Sequence, residues 1–141
     1  HRDTTGETLQ VFVREGAQRR CALSLESTHG LRWIVPEGAL LPLDVGSAGR
    51  VLCGESSKAG WVQSVGEREA GVASVSAAVQ ASDGATVAAL SVSGPIERLS
   101  RQPGKRVGDA VVALLKIVQA SAHADITHAT ASMSARLRPV S

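Results

Sequence analysis

Between Pro42 and Val51 the chain places Gly46, Ser47, Ala48 and Gly49 where a loop passes into a helix. The first N–H groups of a helix have no partner within it and lie at the positive end of its dipole. Such a turn offers a seat for a carboxylate or another small anion. Tight packing is the other use of small residues at that point. A second concentration of polar chemistry is Ser74, Ser76, Ser91 and Ser93, set in two segments rich in small and β-branched residues. Thiol chemistry requires a base or cation beside the cysteine. Cys21 and Cys53 lack CxxC spacing and an evident histidine or acidic partner, and they read as small buried hydrophobes. His1, His29, His123 and His128 show no metal-ligand spacing with them, so neither a metal nor another cofactor is expected.

The elements that must hold these residues follow from periodicity. Leu9, Val11 and Val13 alternate with polar partners, and Cys21, Leu23 and Leu25 resume the pattern after Gly16, which predicts two antiparallel strands. Residues 32–35 predict a short third strand closed by Pro36-Glu37-Gly38. A brief helix then runs from the small-residue turn through Cys53 and ends at Gly54. Gly60 to Val65 reads as another strand, and Gly66-Glu67-Arg68-Glu69 as a solvated ion-pair cluster.

Residues 71–79 and 86–93 form a hairpin about a two-residue turn at Asp83-Gly84, which sets Ser74 opposite Ser93, Ser76 opposite Ser91 and Ala78 opposite Ala89. Side chains alternate between the faces of a strand. One face therefore carries the serines and small alanines, and the other carries Ala73, Val75, Val79, Ala88, Leu90 and Val92. A helix over 105–119 covers that apolar face through Val107, Ala110, Val111, Leu114, Leu115 and Val118. From Gln119 onward the composition predicts a frayed end and a mobile tail.

Short serine and alanine side chains leave room above a sheet. That room, with the Gly46 to Gly49 turn on its rim and Trp33, Leu41 and Val72 as an apolar wall, has the division of polar and apolar groups found in small-molecule sites. Bulk properties narrow the function. The length of 141 residues fits one domain. Aromatics amount to 2%, too few for base-stacking platforms, and the net charge of +2 is scattered rather than gathered into a stripe for nucleic acid. Arg32, Arg50 and Arg98 read as solvated. No apolar run approaches the roughly 20 residues that span a bilayer, and the chain reads as cytoplasmic with no membrane partner.

Three motifs, in order, carry a resemblance: Pro42-Leu43-Asp44-Val45-Gly46-Ser47-Ala48-Gly49-Arg50; Gly60-Trp61 with Ser64 through Val75; and Ala89-Leu90-Ser91-Val92-Ser93-Gly94-Pro95 with Arg98. Over about Gly6 to Gln119 the chain resembles the effector-binding domain of IclR-type bacterial transcriptional regulators. The resemblance implies an α+β, GAF-like fold, a central antiparallel sheet with helices packed on it. It divides the chain into an N-terminal remnant at 1–5, an effector-binding domain at 6–119 with a shortened middle, and an Ala/Ser-rich tail at 120–141. It further implies that Ser47 and Ala48 seat an anion through their amides, that Ser74, Ser91 and Ser93 contact the ligand, and that Trp33, Leu41 and Val72 wall it. Ser64 falls where some relatives carry an acid.

The implied function is sensing of a small organic effector, a carboxylate or an aromatic, by a protein that is not an enzyme and assembles as a homodimer or tetramer. DNA would be bound only through a winged helix-turn-helix that precedes this domain in relatives and is absent from this chain. Where most members place several helices, only residues 51–59 intervene, so the pocket is expected to lack part of its lid. Two other readings stand beside this one: a thiol-based GAF-like redox enzyme using Cys21 or Cys53, and an oligomerisation module without ligand.

Overall fold

A computed structural model describes residues 7–26, 38–67 and 69–137, with side chains at 7–25, 38–67 and 69–120. Six antiparallel strands form one sheet: β1 (Thr8–Glu15), β2 (Gln18–Glu26), β3 (Leu40–Pro42), β4 (Val62–Val65), β5 (Val72–Gln80) and β6 (Thr86–Pro95), in the order β3-β2-β1-β6-β5-β4. Helix α1 (Ser47–Leu52) lies on one face and α3 (Pro103–Leu137) on the other, with the short α2 (Ile96–Leu99) between β6 and α3. The architecture is the expected α+β arrangement. The strand expected at 32–35 lies outside the described residues, and the third strand described is Leu40–Pro42, paired with β2 through Gln18, Arg19 and Arg20.

The hairpin register is the expected one, Ser74 opposite Ser93, Ser76 opposite Ser91 and Ala78 opposite Ala89. It is reached differently from the two-residue turn. The Gly84 N–H donates to the Ala81 carbonyl and the Ala81 N–H to the Ala85 carbonyl, which makes a three-residue loop with Gly84 at φ +89°. A bulge between Val79 and Gln80 then absorbs one residue of β6, Val87, which is left exposed. The two irregularities cancel, and every serine falls on its expected face.

β1 departs from expectation. Its polar residues Thr8 and Gln10 are buried beside Phe12, whereas Leu9, Val11 and Val13 are half-buried on the α3 side. The reason lies in the register: Thr8 stands opposite Ser93 and Gln10 opposite Ser91, so the polar rows of the hairpin continue across β1 beneath α1. A bulge opposite Val11 and Phe12 turns β2 over. Cys21 pairs with Phe12 on the α1 face, but Leu23 and Leu25 pair with Val11 and Leu9 and stand exposed.

The α3 face is filled by carbon. Val75, Ala77 and Val111 pack with Trp61, Val107 and Leu115, and Val79, Ala88 and Leu90 pack with Leu114 and Val118. Burying each of these larger side chains is worth about 1.5–3 kcal/mol. Gly104 and Gly108 notch α3 for the Trp61 indole: a Cβ at these positions would lie 2.0 and 2.4 Å from ring atoms. α3 continues to Leu137, where a tail was expected beyond Gln119. Alanine is the strongest helix former and loses no side-chain entropy, so a segment without an apolar stripe can still be helical. The Gln119 side-chain amide accepts from the Gln80 N–H at 3.0 Å and donates to the Gln80 carbonyl, covering the end of β5 that extends past β4.

Candidate functional site

Two polar rows cross the α1 face of the sheet. One runs Ser64, Ser74, Ser93, Thr8 and the other Ser76, Ser91, Gln10, each residue beside the next in register. Alternation places all seven on one side, and antiparallel pairing aligns them. Helix α1 closes over them and delivers Ser47 between the rows. The Ser47 hydroxyl shares hydrogen bonds with Ser74 Oγ at 2.6 Å and Ser76 Oγ at 2.7 Å. Ser74 Oγ in turn bonds Ser64 Oγ at 2.6 Å, and Ser76 Oγ donates to Ser91 Oγ at 2.9 Å. Five hydroxyls therefore form one chain. Ser93 Oγ stands outside it, buried and without a hydrogen-bond partner.

Beside this chain lies a cavity of about 20 Å³, lined by Gly46, Ser47, Ala48, Ser64, Val72, Ser74, Ser91 and Ser93, and also by Gln10, Phe12 and Arg19. That volume is about the room one water needs. Larger hollows lie elsewhere, about 210 Å³ beside Trp61 and Leu115 and about 400 Å³ between Arg98 and Leu114. The serine cavity is distinguished by its buried polar atoms. Seven of the nine residues expected to form the site thus line one hollow. Leu41 instead packs against the Phe12, Cys21 and Leu43 cluster below it, and Trp33 lies outside the described residues.

One amide of the small-residue turn, ahead of those of Ser47 and Ala48, is taken by the chain itself. The Gly46 N–H donates to Glu67 Oε1 at 3.1 Å, and Glu67 Oε2 pairs with Arg50 at 3.2 Å, so a carboxylate of the chain itself occupies that amide. Arg50 also donates to the Gln63 carbonyl. Of the expected ion-pair cluster, Glu67 ties the α1 turn to β4, and Arg68 lies outside the described residues.

The glycines serve a further residue that periodicity did not single out. Arg19 of β2 is 2% exposed. Its guanidinium stands 4.8 Å from the Phe12 ring centroid and donates from Nη1 to the Val45 carbonyl at 2.9 Å. A Cβ on Gly46 would sit 3.4 Å from this group. One on Gly49 would sit 2.9 Å from Nη1 and 2.2 Å from the Leu43 carbonyl oxygen. Gly46 and Gly49 therefore make room for the buried Arg19 guanidinium. One signal for Arg19 is present in the sequence: it shares a strand face with Cys21, two residues on. Cys21 itself is buried and donates to the Leu23 carbonyl at 3.4 Å, and Cys53 is exposed at the end of α1.

Residues 54–124, half of the chain, match the family described as bacterial transcriptional regulator IclR C-terminal. No curated protein matches. Among solved structures, an IclR-family transcriptional regulator from Rhodococcus sp. superposes with a TM-score of 0.70 at 25% identity, covering 84% of this chain and 59% of that one. A regulator of the same family from Brucella abortus gives a TM-score of 0.72 at 15% identity, over 85% of this chain and 58% of that one. The C-terminal domain of a transcriptional regulator from Vibrio cholerae gives 0.66 at 21% identity, over 82% of this chain and 85% of that domain. The chain thus spans about three fifths of the Rhodococcus protein, and nearly all of the isolated Vibrio domain's length is matched.

Proposed function

Because this chain belongs to the family of IclR C-terminal domains of bacterial transcriptional regulators, we propose that it is the ligand-sensing part of such a regulator, acting in the cytoplasm without catalysis of its own. The ligand is a small organic effector held beside Ser47, Ala48, Ser64, Val72, Ser74, Ser91 and Ser93. DNA is reached through a separate domain, and the protein self-associates as a dimer or tetramer. The observation that carries the reading is Ser93 Oγ, a buried hydroxyl with no partner facing a polar hollow. An unsatisfied buried hydroxyl costs about 1–3 kcal/mol, which a ligand or an ordered water would recover.

The mechanism follows from the cavity's size. An effector larger than water enters only when Ser47 leaves Ser74 and Ser76, that is, when α1 moves. Releasing two hydrogen bonds costs about 2 kcal/mol, so the open state is the minor one and the ligand selects it. Binding is thereby converted into displacement of α1, a change that a full-length regulator would pass to its DNA-binding domains.

A thermal-shift panel of small organic and aromatic acids tests the proposal, run on the wild type, Ser93→Ala and the cavity-filling Ser93→Leu. At least one acid is expected to raise the melting temperature of the wild type and of Ser93→Ala but not of Ser93→Leu. A wild type indifferent to the whole panel would instead favour the second reading, an oligomerisation module without ligand, for which a hollow of about 20 Å³ is the supporting observation.

A further inference from the structure

β4 is a four-residue strand at the edge of the sheet, and the helices on both faces hold it through one residue, Gln63. From the α1 side, Arg50 donates to the Gln63 backbone carbonyl. On the α3 side, the Gln63 side-chain Oε1 accepts from the Gly104 N–H at 2.9 Å. From this, and resting on the sensing reading above for its purpose, we infer that Gln63 is a positioning residue that transmits displacement of α1 to the first turn of α3.

α3 needs the bond that Gln63 supplies. The N–H groups of a helix's first turn have no acceptor inside it, and a serine, threonine, aspartate or asparagine ahead of the helix normally takes one of them. Here Gln102 precedes Pro103, and no acidic residue stands in the first turn. Proline has no N–H to satisfy. Gly104 is therefore the first donor, and its acceptor comes from 41 residues earlier in the chain. Trp61, just ahead of β4, lies against the same stretch, its indole filling the notch at Gly104 and Gly108. The start of α3 is thus fixed by where β4 lies.

α1 holds β4 at two points. Arg50 reaches the Gln63 carbonyl, and Ser47 reaches Ser64 of β4 through the Ser74 hydroxyl. β4 is joined to the sheet along one side, by β5. A short strand bonded on one side shifts at lower cost than a central one. When Ser47 leaves its serines and α1 moves, both holds on β4 loosen, and the cap on Gly104 loosens with them.

Amide hydrogen exchange of the intact, ligand-free chain, followed by two-dimensional NMR, tests the link. The wholly buried Leu90 serves as the reference for global unfolding. Arg50→Met keeps the aliphatic stem and removes the donors. Beyond any change at Leu90, it is expected to speed exchange of the Gly104 amide at least about fivefold, the lower end of ordinary coupling between sites. Coupling is reciprocal. Gln63→Met, which removes the cap, is therefore expected to speed by a similar factor the Cys53 amide, which closes α1 on the Gly49 and Arg50 carbonyls. An unchanged Gly104 in Arg50→Met, an unchanged Cys53 in Gln63→Met, or a response at either no larger than at Leu90 overturns the inference. If Arg50→Met does not fold, Ser47→Ala, which frees α1 from its other hold, must give the same response at Gly104. Because every arm is ligand-free, these results stand whether or not the thermal-shift panel finds an acid.

Discussion

The two faces of the sheet are filled differently, one by carbon alone and the other by a mixture of carbon and hydroxyls. Under α3, Val75, Leu90 and Val111 are wholly buried, and the Trp61 indole enters a notch cut by two glycines. Under α1, a smaller apolar cluster of Phe12, Cys21, Ala48, Val51 and Ala89 lies beside equally buried polar groups, Thr8, Gln10, Arg19, Ser47, Ser76, Ser91 and Ser93. Carbon packing is non-directional and fills space to near crystal density. Hydroxyl packing is directional: each group must find a partner, and the geometry that satisfies five serines leaves a sixth without one. The first face is therefore closed by packing alone, and the second retains a small polar hollow beside an unpartnered hydroxyl.

Substitutions on the two faces test this contrast. The largest effect belongs to Leu90→Ala, which empties a fully buried site on the apolar face and is expected to cost about 2–5 kcal/mol in urea unfolding. Gly108→Ala comes next, since its Cβ would meet the indole at 2.4 Å. A net loss of about 1–3 kcal/mol is expected from overpacking, although alanine is the better helix former. A gain in stability would mean that Trp61 is not held in the notch.

On the polar face, Ser76→Ala removes a hydroxyl bonded to both Ser47 and Ser91 and is expected to cost about 1 kcal/mol. Ser93→Ala removes a hydroxyl bonded to nothing and is expected to be neutral or slightly stabilising. Equal losses at the two serines would contradict the difference between a satisfied and an unsatisfied hydroxyl.

The smallest effect is at Glu7, on the α3 side. Burial raises its pKa, partly opposed by a backbone hydrogen bond and by the charges of Arg98 and Arg106. An acid whose folded pKa lies above its unfolded value contributes most below the unfolded value, near 4.5, and loses that contribution as pH rises through the folded pKa. Urea midpoints of the wild type should therefore fall relative to Glu7→Gln across that window and then run parallel. A difference that grows as pH falls would reverse the assignment.

The serine face was legible in the sequence because two strong local signals agree. The Asp83-Gly84 pair marks a hairpin, and period-two alternation assigns each residue to a face once a register is given. The register survived a mistaken turn length only because the Val79 bulge compensated for it. No such compensation occurs in β2, where a single bulge sends Leu23 and Leu25 to the opposite face from Cys21. Nothing in the types of these residues marks that insertion. Leu41 was misplaced for a related reason: an apolar residue near a motif can face the site or the core beneath it, and only the packing of β3 on β2 chooses.

The residue patterns alone thus determined the alternation of serines and aliphatics, the amphipathic start of α3 and the presence of a small-residue turn. These are properties of neighbours along the chain, fixed by strand and helix periods. What the turn surrounds was decided by tertiary structure. Arg19 reaches Gly46 and Gly49 from more than 25 residues away, and Glu67 reaches Gly46 from 21 residues on the other side. Contacts between such distant positions depend on sheet order and on bulges that shift it, and a difference of one residue moves a side chain through the sheet. A buried cation and a buried serine were therefore invisible as a pair until the strands that carry them were laid beside one another.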